Sequence, residues 1–269
     1  MLEQNQKLQE IVAGIAETGH YLWEKGWAER NAGNISVNIT GLLSNEEMKP
    51  FGGVATEPLH GSRYSLGDKV FIVTAAGNRM RDLEKNPLDY LCFLKINKEG
   101  NGYRLLTGSE QRTANSKLPT SELPTHLAIH ELLCRKKPEI RAVVHAHATE
   151  LIALTHIPEF QSTESLNRLL WKMHPETLLF VPQGAGFIPY LPAGTASIAE
   201  ASAKALEDHT VLVWEKHGVI ATGTTVTEAF DTIDLLTKSA RIYFLVRQAG
   251  FEPETPTGEQ LGEVGNGYS

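Results

Sequence analysis

The chain has little of three features that would assign it to several large classes of protein. Its 269 residues include only two cysteines, Cys92 and Cys134, which are too few for a disulfide framework and lack the spacing of a zinc or redox motif. No segment approaches the roughly 20 apolar residues of a membrane span, and residues 1–25 contain no uninterrupted apolar run of the kind found in a signal peptide. Positive charge is neither in excess nor clustered, since the net charge is -7, so a nucleic-acid partner is not expected. We therefore predict a cytoplasmic protein that binds neither membranes nor nucleic acid.

The composition is that of a globular protein with a sizeable core. Hydrophobic residues make up 41% of the chain, and no linker interrupts residues 5–250, so we predict one domain over residues 1–250. Residues 251–269 are rich in Gly, Glu and Pro with few apolar residues. This composition predicts a mobile and dispensable C-terminal tail.

Periodicity predicts helices and strands in irregular order. Apolar residues at helical spacing predict helices over 5–25, 120–136, 150–156, 162–172, 195–207 and 225–248. Apolar or alternating runs predict strands near 34–37, 70–74, 90–96, 103–107, 177–181, 187–191 and 211–217. Because strands and helices do not alternate regularly, the pattern indicates a mixed or antiparallel sheet that is covered by helices on both faces.

A strand that ends in two histidines is the strongest functional signal. In Arg141–Thr149 an apolar run leads into His145 and His147, and strand side chains two apart project from one face. Two ordinary polar positions are about as common an explanation as a metal site. A third histidine, His217, follows another apolar strand and precedes Gly218. Three histidines with an open fourth position would make a catalytic zinc site; a hydrolase that uses a metal-bound water is one chemistry consistent with them.

Two further segments have the composition of ligand-binding loops. Ala75-Ala76-Gly77-Asn78 follows a buried strand, and its small residues would let backbone N–H groups approach an anion. The run 119–125 begins a helix with Thr120 or Ser121 as the expected N-cap, beside Glu122. A plain turn and a plain helix start are the alternatives.

On that helix two more histidines could form a second metal site. His126 and His130 are four residues apart, so their side chains lie on one face of the helix and could share a metal ion. We interpret them as polar positions on a partly buried helix, because no third ligand has a comparable spacing.

Taken together, these motifs resemble the class II aldolase and adducin-head family. The resemblance covers roughly residues 8–250 and is nearest to the branch that cleaves L-rhamnulose 1-phosphate. It rests on Asn31-Ala32-Gly33-Asn34, Pro119-Thr120-Ser121-Glu122-Leu123-Pro124, His145-Ala146-His147-Ala148-Thr149, Glu150-Leu151-Ile152-Ala153-Leu154-Thr155 and Lys216-His217-Gly218. It implies a three-layer α/β/α fold with a central, largely antiparallel sheet, a C4 homotetramer, one Zn²⁺ per subunit, and reversible cleavage of a phosphorylated ketose to dihydroxyacetone phosphate and L-lactaldehyde.

The resemblance also implies roles for individual residues. His145, His147 and His217 would hold the zinc, Glu122 would be the acid/base residue and could occupy the open metal position at rest, and Glu176 of a neighbouring subunit would act on the aldehyde half of the substrate. The phosphate and enediolate pocket would be lined by Asn31, Gly33, Asn34, Gly77, Thr120 and Ser121. The nearest relatives have Thr-Gly-Ser-Gly where this chain has Thr74-Ala75-Ala76-Gly77, so a hydroxyl is missing at Ala76 and backbone N–H groups are expected to replace it.

Other members of the family, and one protein without catalysis, remain as alternatives. An L-fuculose-1-phosphate aldolase or a pentulose-5-phosphate 4-epimerase would use the same metal chemistry. An adducin-like interaction domain would keep the fold without the reaction, and we would then expect the histidines or Glu122 to be lost. No lysine stands out in a site motif, so a Schiff-base mechanism is not favoured.

Overall fold

The computed structural model describes residues 5–44, 56–59, 63–106, 118–258 and 260. Parts of two regions lie outside these ranges: residues 41–66, for which the sequence predicts no helix or strand, and the predicted tail from 251 to 269. Within the described residues, no helix is long and apolar enough to cross a membrane.

The architecture is one nine-stranded sheet with helices packed on both of its faces. The helices are α1 (Gln6–Glu24), α2 (Leu123–Lys136), α3 (Thr149–Leu154), α4 (Thr163–Met173), α5 (Pro175–Phe180), α6 (Ala196–Ala205) and α7 (Val226–Gln248). The strands are β1 (Asn34–Asn38), β2 (Glu57–Pro58), β3 (Val70–Thr74), β4 (Leu91–Ile96), β5 (Gly102–Leu105), β6 (Ala142–Ala146), β7 (Gly186–Ile188), β8 (Val211–Trp214) and β9 (Gly218–Gly223).

The sheet is antiparallel with one exception. Its order is β2-β5-β4-β3-β1-β6-β9-β8-β7, and among the strands of the described residues only the edge pair β7 and β8 is parallel. Because β1 and β6 are the central neighbours, residues near the ends of these strands come together despite their separation in sequence. Asn34 lies directly opposite His145.

The central strands place side chains in two different hydrophobic cores, because successive residues of a strand point to opposite faces of the sheet. Val143 of β6 packs with Ile129 of α2 and Ile198 of α6, whereas the next residue, Val144, packs in the core that α1 and α7 cover. The fold is therefore three-layered, and the predicted fold class is confirmed. His145 projects from the same face as Val143, towards α2.

Two local predictions are wrong. Residues 177–181 are not a strand, because α5 spans Pro175–Phe180, with Pro175 in its first turn and Thr177 buried against Ser239 of α7. A short apolar run cannot by itself distinguish a strand from a buried helical turn, and proline at the first helical position favours the helix.

The second error is the start of α2, whose N-cap is Glu122 and not Thr120 or Ser121. The preceding residues are still paired with the sheet: the Ala76 N–H donates to the Leu118 carbonyl at 2.8 Å, and the Thr120 N–H to that of Thr74 at 3.0 Å. This pairing holds the chain extended up to residue 120, so the helix begins later than the hydroxyl residues suggest.

Candidate metal centre and substrate cavity

His145 presents a buried nitrogen that has no partner. Its Nδ1–H donates to the Val219 carbonyl of β9 at 2.9 Å, which leaves Nε2 as an acceptor. That Nε2 is buried and makes no hydrogen bond to any described residue. Burial lowers the pKa of His145 to about 3, so the ring is neutral at neutral pH. An orphaned, neutral imidazole nitrogen is suited to a metal ion.

His147 lies just beyond the end of β6 and is held by two contacts. Its backbone N–H donates to the Trp27 carbonyl at 2.9 Å, and its Nδ1–H donates to Glu29 Oε1 at 2.7 Å. The second contact again leaves Nε2 as the free nitrogen. A carboxylate on the far nitrogen of a histidine is the usual support for a metal-ligating imidazole.

His217 reaches the other two histidines because of the tight turn between β8 and β9. Lys216 has a left-handed backbone with φ of 58°, and the next residue but one is Gly218. A Cβ on Gly218 would lie 2.5 Å from the Ala146 carbonyl oxygen and 3.0 Å from Cε1 of His145. Glycine is therefore required for the turn to approach the two histidines.

The three histidines form one group that could hold a metal ion. One ring nitrogen of each lies within 4.8 Å of the others. Burial is also the main cause that lowers the pKa of His217 to about 4, so His145 and His217 both offer the neutral form that binds metals. The geometry fits the predicted ligand set, with the unpartnered His145 nitrogen as the clearest sign.

Glu122 stands beside this group, at the start of α2. Its two carboxylate oxygens lie 3.6 Å from Nε2 of His145 and 3.5 Å from Nε2 of His217. These contacts are not ion pairs at neutral pH, because both imidazoles are neutral there. The carboxylate is buried and accepts a hydrogen bond of 3.2 Å from Nδ2 of Asn34.

A cavity of about 330 Å³ opens in front of the histidines and Glu122. Every residue that the sequence suggested for the site lines it, except Glu176. The lining residues are Glu29, Arg30, Asn31, Ala32, Gly33, Asn34, Thr74, Ala75, Ala76, Gly77, Thr120, Ser121, Glu122, His145, His147 and His217.

The expected anion-binding turn is only partly available. Ala75 donates its N–H to the Tyr90 carbonyl at 2.9 Å, and Ala76 donates its N–H to that of Leu118 at 2.8 Å. These two amides are therefore not among the backbone N–H groups that could replace the missing hydroxyl, because β-pairing already uses them. Gly77, with φ of 73°, turns the chain away from the strand, and no hydrogen bond within the described ranges uses its amide.

Ala76→Ser should therefore lower the KM for a phosphorylated substrate. Ala76 is exposed on the cavity wall, so a hydroxyl fits there without disturbing the fold. One hydrogen bond to a charged group contributes at best roughly 1.5–3 kcal/mol, and we expect KM to fall by about tenfold at constant metal content. Ala75→Ser is a poor alternative because that residue is buried. If steady-state kinetics show that the KM of Ala76→Ser is unchanged or higher, residue 76 does not face the phosphate.

Two cavity residues were missed from the sequence. Glu29 lies 118 positions before its partner His147, so no local pattern could connect them. Its pKa is lowered: partial burial acts to raise it, but the hydrogen bond from His147 and one from its own backbone outweigh this. Arg30, which has a left-handed backbone with φ of 51°, adds a positive charge to the cavity wall where none was expected.

Glu176 lies apart from the cavity of its own chain. It is in the first turn of α5, its side chain is 65% exposed, and it contacts His174 at 3.3 Å. His126 and His130 also lie outside the metal group, and both are fully buried and bonded to Ser36. These two imidazoles are thus more deeply buried than we predicted for polar positions on a partly buried helix.

Comparisons with known proteins agree with this geometry. The family described as class II aldolase and adducin N-terminal domain matches residues 13–244. A rhamnulose-1-phosphate aldolase of Bacteroides thetaiotaomicron is 40% identical over 98% of this chain and 96% of its own, and one of Listeria welshimeri is 36% identical over 86% and 82%. The crystal structure of a sugar-phosphate aldolase from Thermotoga maritima, 32% identical, superimposes with a TM-score of 0.77 over 92% of this chain and 99% of that one. The predicted family is confirmed: the chain belongs to the class II aldolase and adducin N-terminal domain family.

Proposed function

We propose that the protein is a zinc-dependent aldolase that reversibly cleaves L-rhamnulose 1-phosphate to dihydroxyacetone phosphate and L-lactaldehyde. The observation that carries the proposal is the group of three histidines with a buried, unpartnered nitrogen, beside the Glu122 carboxylate in a cavity large enough for a small sugar phosphate. The substrate follows from the names of relatives that are 36–40% identical over most of their length.

Zinc is the metal that suits the ligands best. Three histidine nitrogens with room for a further ligand are the donor set of a catalytic zinc site. A cation held there would stabilise the negative charge that develops on the substrate oxygens when the C3–C4 bond breaks.

Glu122 is the group that exchanges the proton at C3. Its carboxylate is buried beside the histidines, and the Asn34 amide holds one of its oxygens. General acid–base catalysis needs a group within hydrogen-bond reach of the reacting atom. Within the described part of the cavity lining the other carboxylate is that of Glu29, which His147 already engages.

The phosphate end of the substrate is bound by other residues of the same cavity lining. There Asn31, Gly33, Gly77, Thr120 and Ser121 offer amides and hydroxyls, and Arg30 adds a positive charge. Gly33 has φ of 78° and an added Cβ would lie 3.2 Å from the His145 carbonyl oxygen. A side chain at this position would be strained, and glycine lets the loop run close to the end of β6.

A substrate comparison tests the proposal directly. The zinc-loaded protein should release dihydroxyacetone phosphate from L-rhamnulose 1-phosphate with a kcat/KM well above that for L-fuculose 1-phosphate, in an assay coupled to reduction of the triose phosphate. A preference for L-fuculose 1-phosphate would indicate that the protein is an L-fuculose-1-phosphate aldolase instead. Conversion of a pentulose 5-phosphate into its C4 epimer, without release of glycolaldehyde phosphate, would indicate an epimerase, and release of inorganic phosphate a hydrolase.

The tetramer and the role of Glu176 form one further part of the proposal. Glu176 is exposed on its own subunit and lies outside that subunit's cavity, so its catalytic role in this proposal is in the cavity of a neighbour. Closed cyclic symmetry would bring Glu176 of each chain to the Glu122 of the next.

Mixed tetramers test this arrangement. Glu122→Gln and Glu176→Gln proteins should each have low activity, and unfolding them together and reassembling them should recover activity, because some interfaces then pair two intact glutamates. If the mixture has only the summed activity of its parents after mass spectrometry has verified subunit exchange, the two glutamates do not share a site across an interface. A mixture of wild-type and Glu122→Gln subunits serves as the control for reassembly.

A further inference from the structure

A chain of buried polar side chains leads from Glu122 away from the cavity into the core. Asn34 Nδ2 contacts Glu122 Oε2, Asn34 Oδ1 contacts His126 Nε2, and Ser36 Oγ lies 2.6 Å from His126 Nδ1 and 2.8 Å from His130 Nε2. All five residues are at most 8% exposed. Neither imidazole lines the cavity, so substrate binding does not account for them.

The spacing of these residues explains why the contacts form. Glu122, the N-cap of α2, is followed at four-residue intervals by His126 and His130 on one face of that helix, and four helical residues rise about 6 Å. Asn34 and Ser36 are two apart on one face of β1, and two strand residues rise about 6.6 Å. Because the two repeats nearly match, each strand side chain lies between two successive helix side chains.

We propose that His126, Ser36 and His130 are positioning residues, which hold the Asn34 amide in the one orientation that donates to the Glu122 carboxylate. The part of this inference that concerns turnover rests on the role proposed above for Glu122. The part that concerns hydrogen-bond direction does not depend on the substrate.

The direction follows from the Asn34 amide. Its Nδ2 faces Glu122 and can only donate, whereas its Oδ1 faces His126 Nε2 and can only accept. His126 then donates from Nε2, and its Nδ1 accepts from the Ser36 hydroxyl. That hydroxyl in turn accepts from Nε2–H of His130. The reverse direction would aim the Asn34 carbonyl oxygen at the carboxylate.

Two independent observations agree with this direction. Burial lowers the pKa of His126 well below its usual value and that of His130 to about 3, so each ring carries a single N–H at neutral pH. His130 Nδ1 is buried without a hydrogen-bond partner in the described residues, where an unprotonated nitrogen is tolerated better than an unpaired donor. The aromatic ring of Phe71, 4.8 Å away between centroids, borders this last imidazole.

The tautomers provide the first test. In protein labelled with ¹⁵N-histidine, with signals assigned by their loss in His126→Gln and His130→Gln, both rings should be neutral Nε2–H tautomers at neutral pH. An Nδ1–H tautomer or an imidazolium at either position would contradict the hydrogen-bond directions proposed for Asn34, His126, Ser36 and His130. Because this spectrum needs no substrate, it tests the hydrogen-bond directions independently of the proposed function.

The kinetic test removes one hydroxyl. Ser36→Ala should lower kcat on L-rhamnulose 1-phosphate roughly three- to tenfold, the usual effect of one buried hydrogen bond, with zinc content unchanged and KM within about twofold. Thr237→Val is the matched control, because it deletes a buried hydroxyl bond, 2.7 Å to the Ile233 carbonyl, within α7. It should leave both constants unchanged.

A second pair of variants covers the case in which Ser36→Ala fails to fold. His130→Gln keeps a donor for Ser36 and should retain most of the turnover, whereas His130→Leu should lose as much as Ser36→Ala. A folded, zinc-loaded Ser36→Ala or His130→Leu protein with wild-type kcat would overturn the positioning role. If the wild-type protein did not cleave L-rhamnulose 1-phosphate, the proposed function would be wrong. The tautomers would still test the proposed hydrogen-bond directions.

Discussion

His147→Ala is expected to purify with little bound zinc and almost no aldolase activity. The change removes one of the three nitrogens that lie within 4.8 Å of one another, and two remaining imidazoles rarely retain zinc at working concentrations. Metal analysis after dialysis against a weak chelator, together with the coupled assay, measures both effects. His20→Ala makes the same chemical change on α1, where His20 contacts Glu84 at 3.2 Å, and should keep its zinc. A full equivalent of zinc in His147→Ala would remove this residue from the ligand set.

Variants of Glu29, which contacts His147, should have a smaller effect on zinc binding than His147→Ala. Because Glu29 holds Nδ1 of His147 at 2.7 Å, Glu29→Ala should weaken zinc binding by about 10–100-fold, which is typical for the loss of a group that orients a metal ligand. Glu29→Gln keeps an acceptor for the His147 N–H and should lose less. The fold is not expected to change in either variant, so circular dichroism serves as the check.

Glu122→Gln is expected to lower kcat by about 10²–10⁴ while substrate still binds. The amide keeps the shape of the side chain and can still accept from Asn34, which lies 3.2 Å from Oε2, but it cannot take up a proton. Loss of a general acid–base typically costs about 10²–10⁴ in rate. KM and zinc content should stay close to the wild-type values.

A second glutamate of α2 provides the matched control for this change. Glu131 bonds to Ser65 at 2.8 Å and to Arg63 at 3.1 Å, away from the cavity, so Glu131→Gln should retain its turnover number. If Glu122→Gln also turned over at the wild-type rate, Glu122 would have no part in proton transfer. A fall in Glu122→Gln that came with loss of zinc would instead indicate that the carboxylate supports the metal.

The sequence identified most of the cavity through motifs that resemble those of the family, and short-range rules account for some of these motifs. His145 and His147 follow from strand alternation, and the glycines follow from turns that other residues cannot adopt. Gly218 is the clearest case, since a Cβ there would lie 2.5 Å from the Ala146 carbonyl oxygen. Rules of this kind use only the covalent geometry of neighbouring residues.

The errors lie where a local pattern is weaker than a contact from elsewhere in the chain. The N-cap of α2 is displaced because residues 118–120 pair with β3, and 177–181 is helical because Pro175 begins a turn that packs on α7. The amides of Ala75 and Ala76 are used in the sheet for the same reason.

By itself, the sequence determined the fold class, the family and the candidate metal ligands, because each depends on spacing within one segment or on motifs that occur in a fixed order. Only the tertiary structure decided which partners the histidine side chains have. Glu29 reaches His147, and His126 and His130 reach Ser36, across about 90 to 118 positions of the chain. Such pairs depend on the order of strands in the sheet, and the periodicity of a single segment carries no information about that order.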